Sequence, residues 1–469
     1  MIAASLRDLP TRLAAGSLSR NGLAALGQSL VVLVCTFLAY RLVISYAGLE
    51  RFGVWSLLLA GSAVARIGDI SGGGALARFV AAAGRDGPEN SRDLVHTVML
   101  TSLVLNAMLG LAVWFGAPRV LPLFIEPQYL AEAQALVPYV VASMVIGALA
   151  IAATSGIDGA QRADQRAIVV SVASLVFLVA CLILVPGFGV IGFGAAQVLQ
   201  QVVMMVLGWV VLRRHVPGLG WLPHRWRRAA FAETTGYAVK LNAIGVLGLI
   251  FEPLVKFAFN HTGGPALVGL YELASRLVVQ VRGLVIAAAT PLVPAFAAQS
   301  GTSDPAFKIM LERAMRITAL AAVCATLAAI AGAPLMSIVL LGHMEPVLLT
   351  LTAALAAGWA INILTVPIYF AAQALGVLRW NIVGHAVIAA SVLFGVFVLV
   401  PVLGSNGLVL AIIIGLIVSM FIILLGNAHA LHVADVVRRL RSALIGASAA
   451  IAAMCLAAAA LAAGLLVAP

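Results

Sequence analysis

The stretch RRHVPGLGWLPHRWRRAAFAET, residues 213–234, is the longest polar break between hydrophobic segments in this chain. Six such segments precede it and seven follow. Pro217, Gly218, Gly220 and Pro223 punctuate it among five arginines, the composition of a linker between two bundles. The rest of the chain explains why one polar stretch carries so much weight. Of 469 residues, 63% are hydrophobic and only 10% charged, with a mean hydropathy of +1.11. An ordinary soluble domain is roughly 25% charged. Thirteen stretches reach the length of about 20 apolar residues that a spanning helix needs. They are 21–47, 52–83, 94–117, 133–156, 167–186, 190–212, 235–261, 265–298, 314–342, 346–374, 380–401, 407–430 and 443–467. The sequence therefore predicts an all-α polytopic membrane protein. The first stretch is too long for a signal-peptide core and is read as a retained helix.

The basic residues fix an orientation. With the N-terminus in the cytoplasm, nineteen Lys and Arg fall in inside segments and two, Arg51 and Arg119, in outside segments. The net charge of +11 thus reflects topology and contact with anionic lipid, not nucleic acid.

An internal repeat supports the division at the linker. A shift of 216 lays Gly48 on Gly264, Gly53 on Gly269 and Arg66 on Arg282, and a shift of 215 lays Pro186, Gly189 and Gly192 on Pro401, Gly404 and Gly407. Six spans per repeat keep both halves in the same orientation, so the repeat is parallel, about an axis along the membrane normal. The predicted organisation is a six-helix bundle over 1–212, the basic cytoplasmic linker 213–234, a second six-helix bundle over 235–430, and a C-terminal piece over 431–469. That last piece holds a short basic stretch and one extra, thirteenth helix.

Function is sought in the charges at membrane depth, where each costs at least about 2.5–3.5 kcal/mol. Seven are basic: Arg41, Arg66, Arg78, Lys240, Lys256, Arg276 and Arg282. Three are acidic: Asp69, Glu252 and Glu272. The balance, 7 − 3 = +4, describes a cationic cavity suited to an anion. Arg66 and Arg282, repeat mates, are the first candidates for direct anion contact, because guanidinium matches phosphate bidentately and keeps its charge. Arg276, Lys240 and Lys256 follow. Arg41 and Arg78 are weaker candidates, since each also lies where it can snorkel to the interface. Glu252 with Lys256, and Glu272 with Arg276, have the i, i+4 spacing of one helix face, and the turn Gly263-Gly264-Pro265 makes their helices neighbours. Two readings of that network stand: neutral packing devices, or a switch that re-pairs between inward-open and outward-open states. Asp69, Glu252 and Glu272 are also the carboxylates deep enough for H⁺ or Na⁺ coupling. His96, His261, His343 and His385 are read as interfacial. Ser71–Gly74 is read as a flexible break rather than a phosphate cradle, and no metal-ligand spacing occurs.

Gly48-Leu49-Glu50-Arg51-Phe52-Gly53-Val54-Trp55-Ser56-Leu57, with Asp69, Gly72 and Ala77-Arg78-Phe79, resembles the first outer turn and second helix of bacterial oligosaccharide-lipid flippases. These belong to the multidrug/oligosaccharidyl-lipid/polysaccharide (MOP) flippase superfamily, and the resemblance covers about residues 15–430. It implies two bundles in a MATE-like V around a cavity lined by the first, second, seventh and eighth helices. It further implies a polyprenyl-diphosphate-linked oligosaccharide carried from the inner to the outer leaflet of the bacterial inner membrane, for O-antigen, exopolysaccharide or capsule. Membrane lipids, a polysaccharide polymerase and glycosyltransferases are the implied partners, and no cofactor is. The thirteenth span departs from the twelve usual in this family and the fourteen of related lipid II flippases. A drug or metabolite antiporter on the same fold is the alternative that the positive cavity opposes. A glycan polymerase or ligase is another, and would need more at the outer face than Glu126, Glu132 and Glu345.

Overall fold

The computed structural model describes residues 9–65, 73, 76–77, 79–81, 88–290, 292–297, 299, 302 and 304–467. Its helices are α1 Leu9–Ala47, α2 Leu49–Ala65, α3 Pro88–Val120, α4 Pro127–Gly159, α5 Ala163–His215 and α6 Arg228–Ala289, followed by α7 Leu292–Ala297, α8 Pro305–Leu341 and α9 Pro346–Ile363. The remainder are α10 Val366–Ala374, α11 Arg379–Phe394, α12 Ser405–Ala430, α13 Ala434–Arg439 and α14 Arg441–Val467. Among the described residues, nine helical segments are long and apolar enough to cross a bilayer. The count is lower than thirteen partly because the two longest helices each hold two crossings. α5 has 53 residues, about 80 Å at 1.5 Å per residue, and breaks at Gly189 (φ 56°, ψ −131°). α6 has 62 residues and breaks at Gly263 and Gly264, where Gly264 takes φ 68°. It is not among those nine.

The repeat read from the sequence reappears as backbone geometry. Gly404, the mate of Gly189, has φ 58° and ψ −143°, nearly the same left-handed break. Three residues on, a Cβ at Gly192 would strike the Leu184 carbonyl, and one at Gly407 would strike that of Leu399. At the other anchor, a Cβ on Gly53 would strike the Pro265 carbonyl, and one on Gly269 would lie 2.9 Å from the Leu49 carbonyl oxygen. Leu49 and Pro265 are themselves 216 apart, so the close approach is reciprocal.

Two compact units make up the chain: Met1–Gly48 with Gly61–Gly245, and Leu49–Ala60 with Val246–Pro469. The first three turns of α2 thus belong to the second unit, and the boundary after Gly245 falls inside α6. In the first unit α5 packs on both α1 and α4, and a core of Leu76, Val95, Val98, Ile157 and Leu212 fills the space with Val216 and Leu219. Those last two residues fix the linker. Arg227 donates to Asp93 at 3.1 Å and its backbone N–H to Thr97, Trp209 donates to the Trp221 carbonyl at 2.8 Å, and Arg213 lies 3.6 Å over the Trp221 ring. The linker is a strap laid along the start of α3. In the second unit α11 packs with α12 and α8 with α9. α14, the thirteenth span, lies against α8 and α9 through Ile451, Cys455 and Ala462, while its alanines let the backbones approach. Outside the membrane α13 is tied to α8 by Lys308–Asp435 at 3.2 Å and Arg439–Glu312 at 3.4 Å. Burial raises the Asp435 carboxyl, but its hydrogen bond and ion pair with Lys308 outweigh this and hold it below the usual range.

Candidate functional site

All the described site chemistry lies in the second unit, on the two halves of α6 and the helices around them. The first half of α6 brings in Glu252 and Lys256 one turn apart, and the second half brings in Glu272 and Arg276 one turn apart. Both short-range pairs form: Lys256 Nζ lies 2.7 Å from Glu252 Oε1, and Arg276 donates to Glu272 at 2.8 Å. The break at Gly263–Gly264 turns the second half back on the first, so Lys256 also reaches Glu272 Oε2 at 2.7 Å. Ser56 on α2 donates to the same oxygen at 3.1 Å. Lys256 is 3% exposed and Glu272 5%, whereas the side chains of Glu252 and Arg276 are 53% and 39% exposed. The result is a chain of alternating charge, buried in the middle and open at both ends, with two cations and two anions that sum to zero.

Arg282 is different. Among the described residues it has no carboxylate partner. Its guanidinium carbon lies 4.2 Å from the centroid of the Trp359 ring on α9, an attraction between a cation and an aromatic face. Phe251 meets the same indole edge-on at 6.4 Å. The Nε of Arg282 is buried without a hydrogen-bond acceptor. A small cavity opens beside it, walled by Ala325, Thr326, Ala329, Ala356 and Ala360. Buried N–H groups are normally satisfied, so an orphaned guanidinium donor beside a cavity marks a place for an acceptor. Tyr369 on α10 and His385 on α11 meet edge-on, their ring centroids 6.0 Å apart.

Other predicted residues fall elsewhere. Arg41 is half-buried on α1, in the first unit. Lys240 lies on the first half of α6, its side chain outside those the structure describes. Arg66, Asp69 and Arg78 lie outside the described residues, as does the mate relation of Arg66 to Arg282 in three dimensions. Of the histidines read as interfacial, His96 is fully buried against Trp209 and His224, and His385 is half-buried beside Tyr369. Both sit within a turn or two of a span's end, and that position suggested the surface. Trp359, Ser56 and His385 are the site residues the sequence did not offer. Trp359 is the retrievable one, a lone indole in an Ala-rich span.

This arrangement of paired and unpaired charge inside an all-helical membrane protein is that of a multi-span transporter. Comparison with known proteins identifies which kind. Residues 46–300 match the family model described as polysaccharide biosynthesis protein, and the chain belongs to that family. No curated protein sequence matches it. Among solved structures it is similar to an inward-facing multidrug resistance MATE transporter of the MOP superfamily. That match has a TM-score of 0.74 and 14% identity, over 86% of this chain and 98% of that one. It is also similar to the lipid II flippase MurJ in an inward closed conformation, with a TM-score of 0.68 and 11% identity over 95% and 98%. A MOP superfamily transporter from Pyrococcus furiosus gives a TM-score of 0.66 at 15% identity over 89% and 95%. At these identities the structures establish the fold, and those relatives are transporters and flippases rather than enzymes.

Proposed function

We propose that this protein moves a polyprenyl-diphosphate-linked oligosaccharide from the inner to the outer leaflet of the bacterial cytoplasmic membrane, for surface polysaccharide assembly. Its N-terminus lies in the cytoplasm. The observation that carries the reading is Arg282, a guanidinium at membrane depth with an aromatic stack, no carboxylate partner among the described residues and an unmet N–H. A diphosphate supplies the acceptor oxygens that this group lacks. The membrane potential favours the direction: two negative charges moved outward gain about 4–5 kcal/mol per 100 mV.

In this proposal Arg66, Arg276, Lys240, Lys256, Arg41 and Arg78 supply the remaining positive field. The chain Glu252–Lys256–Glu272–Arg276 acts as the switch. Its exposed ends at Glu252 and Arg276 can exchange partners, and a diphosphate competing for Arg276 or Lys256 would free a carboxylate. Membrane lipids surround the spans, and glycosyltransferases and a polymerase act before and after it. Replacing Arg282 by Gln should abolish export of the glycan while the variant still purifies from the membrane as a monodisperse protein. Normal export by Arg282→Gln would sink the ligand assignment.

A further inference from the structure

The linker strap and the start of α3 gather more positive charge than the acid beside them matches. Three guanidiniums converge on the carboxylate of Asp93: Arg227 at 3.1 Å, Arg92 at 3.5 Å and Arg225 at 4.0 Å, the last too far for a hydrogen bond. None of the three has a second carboxylate partner among the described residues. The cluster therefore holds a surplus of two positive charges. Arg92 is mostly buried and its Nε finds no acceptor, whereas the side chains of Arg225 and Arg227 are 52% and 53% exposed. Arg213 adds a further cation nearby on α5, and it meets the Leu219 carbonyl and the Trp221 ring rather than an acid.

The same strap presents large apolar side chains to its surroundings. Trp221 is 71% exposed, Leu222 76% and Trp226 51%. Their backbone is held: Trp209 of α5 donates to the Trp221 carbonyl, and the His224 ring lies 4.9 Å from that of the buried His96. Trp226 donates to Thr101 of α3 at 3.3 Å, and this contact gives the depth. Thr101 lies 13 residues into α3, about 20 Å from the helix start and about 10 Å past Leu94, where the apolar stretch begins. One turn further on, Val104 starts a line of exposed apolar residues, Val104, Met108, Leu111 and Phe115, spaced as one face of a helix. In a spanning helix such a face meets acyl chains. Trp226 thus stands at the start of a lipid-facing stripe, and Arg225 and Arg227, beside Asp93, stand at its water end. Tryptophan at the acyl boundary with arginine at headgroup level is the layout of a membrane interface.

We propose that the strap is a docking surface for an anionic glycerophospholipid. Arg225 and Arg227 hold its phosphodiester, and Trp221, Leu222 and Trp226 lie against its glycerol and the first carbons of its acyl chains. With the N-terminus in the cytoplasm, the orientation of the preceding section on which the choice of leaflet rests, that lipid belongs to the inner leaflet. A phosphodiester carries one negative charge at neutral pH, and guanidinium forks bind it bidentately. Net charge then decides between lipids. A zwitterionic headgroup brings its own cation to a site already two charges in excess, whereas an anionic headgroup lowers that excess. One arginine at the membrane surface favours anionic lipid about fivefold. Lipid bound to the docked strap also stabilises the docking by mass action, so the linker between the two bundles responds to the composition of the leaflet.

The test uses the full chain in nanodiscs of phosphatidylcholine. Either phosphatidylglycerol or phosphatidylcholine with brominated acyl chains is added at equal mole fraction. Bromine quenches tryptophan on contact, and the strap's share of the signal is the difference between wild type and Trp221→Phe/Trp226→Phe. Brominated phosphatidylglycerol should reach half of that quenching at a mole fraction about fivefold lower than brominated phosphatidylcholine. Arg225 makes no side-chain hydrogen bond among the described residues, so Arg225→Gln should cut the preference to about twofold or less with melting unchanged. Equal quenching by the two lipids would overturn the anionic site, and no quenching of the strap's share would overturn the membrane contact. An undiminished preference in Arg225→Gln would remove the arginine from the site. A preference abolished by excess inorganic phosphate would assign the cluster to a free anion and overturn the lipid. Should the tryptophan variant fail to fold, native mass spectrometry of wild type and Arg225→Gln decides the matter. Phosphatidylglycerol retained over phosphatidylcholine by wild type, and lost in Arg225→Gln, supports the proposal, and equal retention of both lipids refutes it. These variants leave Arg282 untouched, so failure here and failure of the export reading are told apart.

Discussion

Arg276 and Arg282 lie six residues apart on one half of α6, each half-buried and each at membrane depth. Arg276 donates to Glu272 at 2.8 Å and joins a neutral network whose buried centre is Lys256. Arg282, turned to another side of the helix, lies over Trp359 with one N–H unmet. The difference separates two uses of charge in a membrane. A cation matched by carboxylates within the fold is stable but has no need of a ligand. A cation matched by an aromatic face alone keeps its hydrogen-bonding capacity for something that arrives later. A sequence count of seven cations against three anions merges these cases, and the partners that distinguish them lie on other helices.

The comparison can be broken most forcefully at Glu272. Replacing it by Gln removes the carboxylate that joins Lys256 to Arg276, leaves the buried Lys256 with Glu252 alone, and should cost on the order of 3–5 kcal/mol of stability. A thermal-melting comparison in detergent would show this. The double variant Lys256→Met/Glu272→Met should recover most of the loss, because a buried pair replaced by apolar groups is near neutral. At Arg282 the expectation is reversed. Arg282→Lys should leave melting within about 1 kcal/mol of wild type but lower export about tenfold, since an ammonium loses the planar fork and the stack. If melting and export fell together at Arg282, the residue would be structural like Glu272. Trp359→Phe sharpens the contrast further, weakening the aromatic attraction by about 0.5–1 kcal/mol and export by several-fold.

The smallest effect is expected outside the membrane. Asp435 is held below the ordinary carboxylate range by Lys308, so the pair stabilises the fold above about pH 4 and its contribution is lost as the pH falls through the depressed value. Because both side chains are partly exposed, Asp435→Asn should cost less than about 1 kcal/mol at neutral pH, with the difference from wild type vanishing in acid.

Much of the fold was legible because membrane crossing is written locally. Hydrophobic length marked the spans, Gly263-Gly264-Pro265 marked the break in α6, and offsets of 215 and 216 marked positions that the backbone repeats, down to the left-handed breaks at Gly189 and Gly404. Pairs spaced by one helical turn, Glu252 with Lys256 and Glu272 with Arg276, were equally legible and form. The network across the Gly263–Gly264 turn was legible too, and Lys256 meets Glu272 there. What escaped were contacts between helices far apart in sequence: Ser56 meets Glu272 from 216 residues away, and Trp359 meets Arg282 from another helix. No spacing rule encodes these. The docking of the linker on Asp93 was hidden for the same reason: its arginines announced a polar loop, and their partner lay on α3.

The central claim, that Arg282 serves a translocated anion, is tested most directly by leaflet accessibility in a strain lacking the native gene. Cells carry wild type or Arg282→Gln at matched membrane levels, and an impermeant glycan-binding probe is added from outside before the lipids are extracted. The account predicts complete polyprenyl-diphosphate oligosaccharide in both strains, reached by the probe with wild type and shielded from it with Arg282→Gln. Complete units equally reachable in the Arg282→Gln strain would contradict it and move the protein's role to a step after translocation.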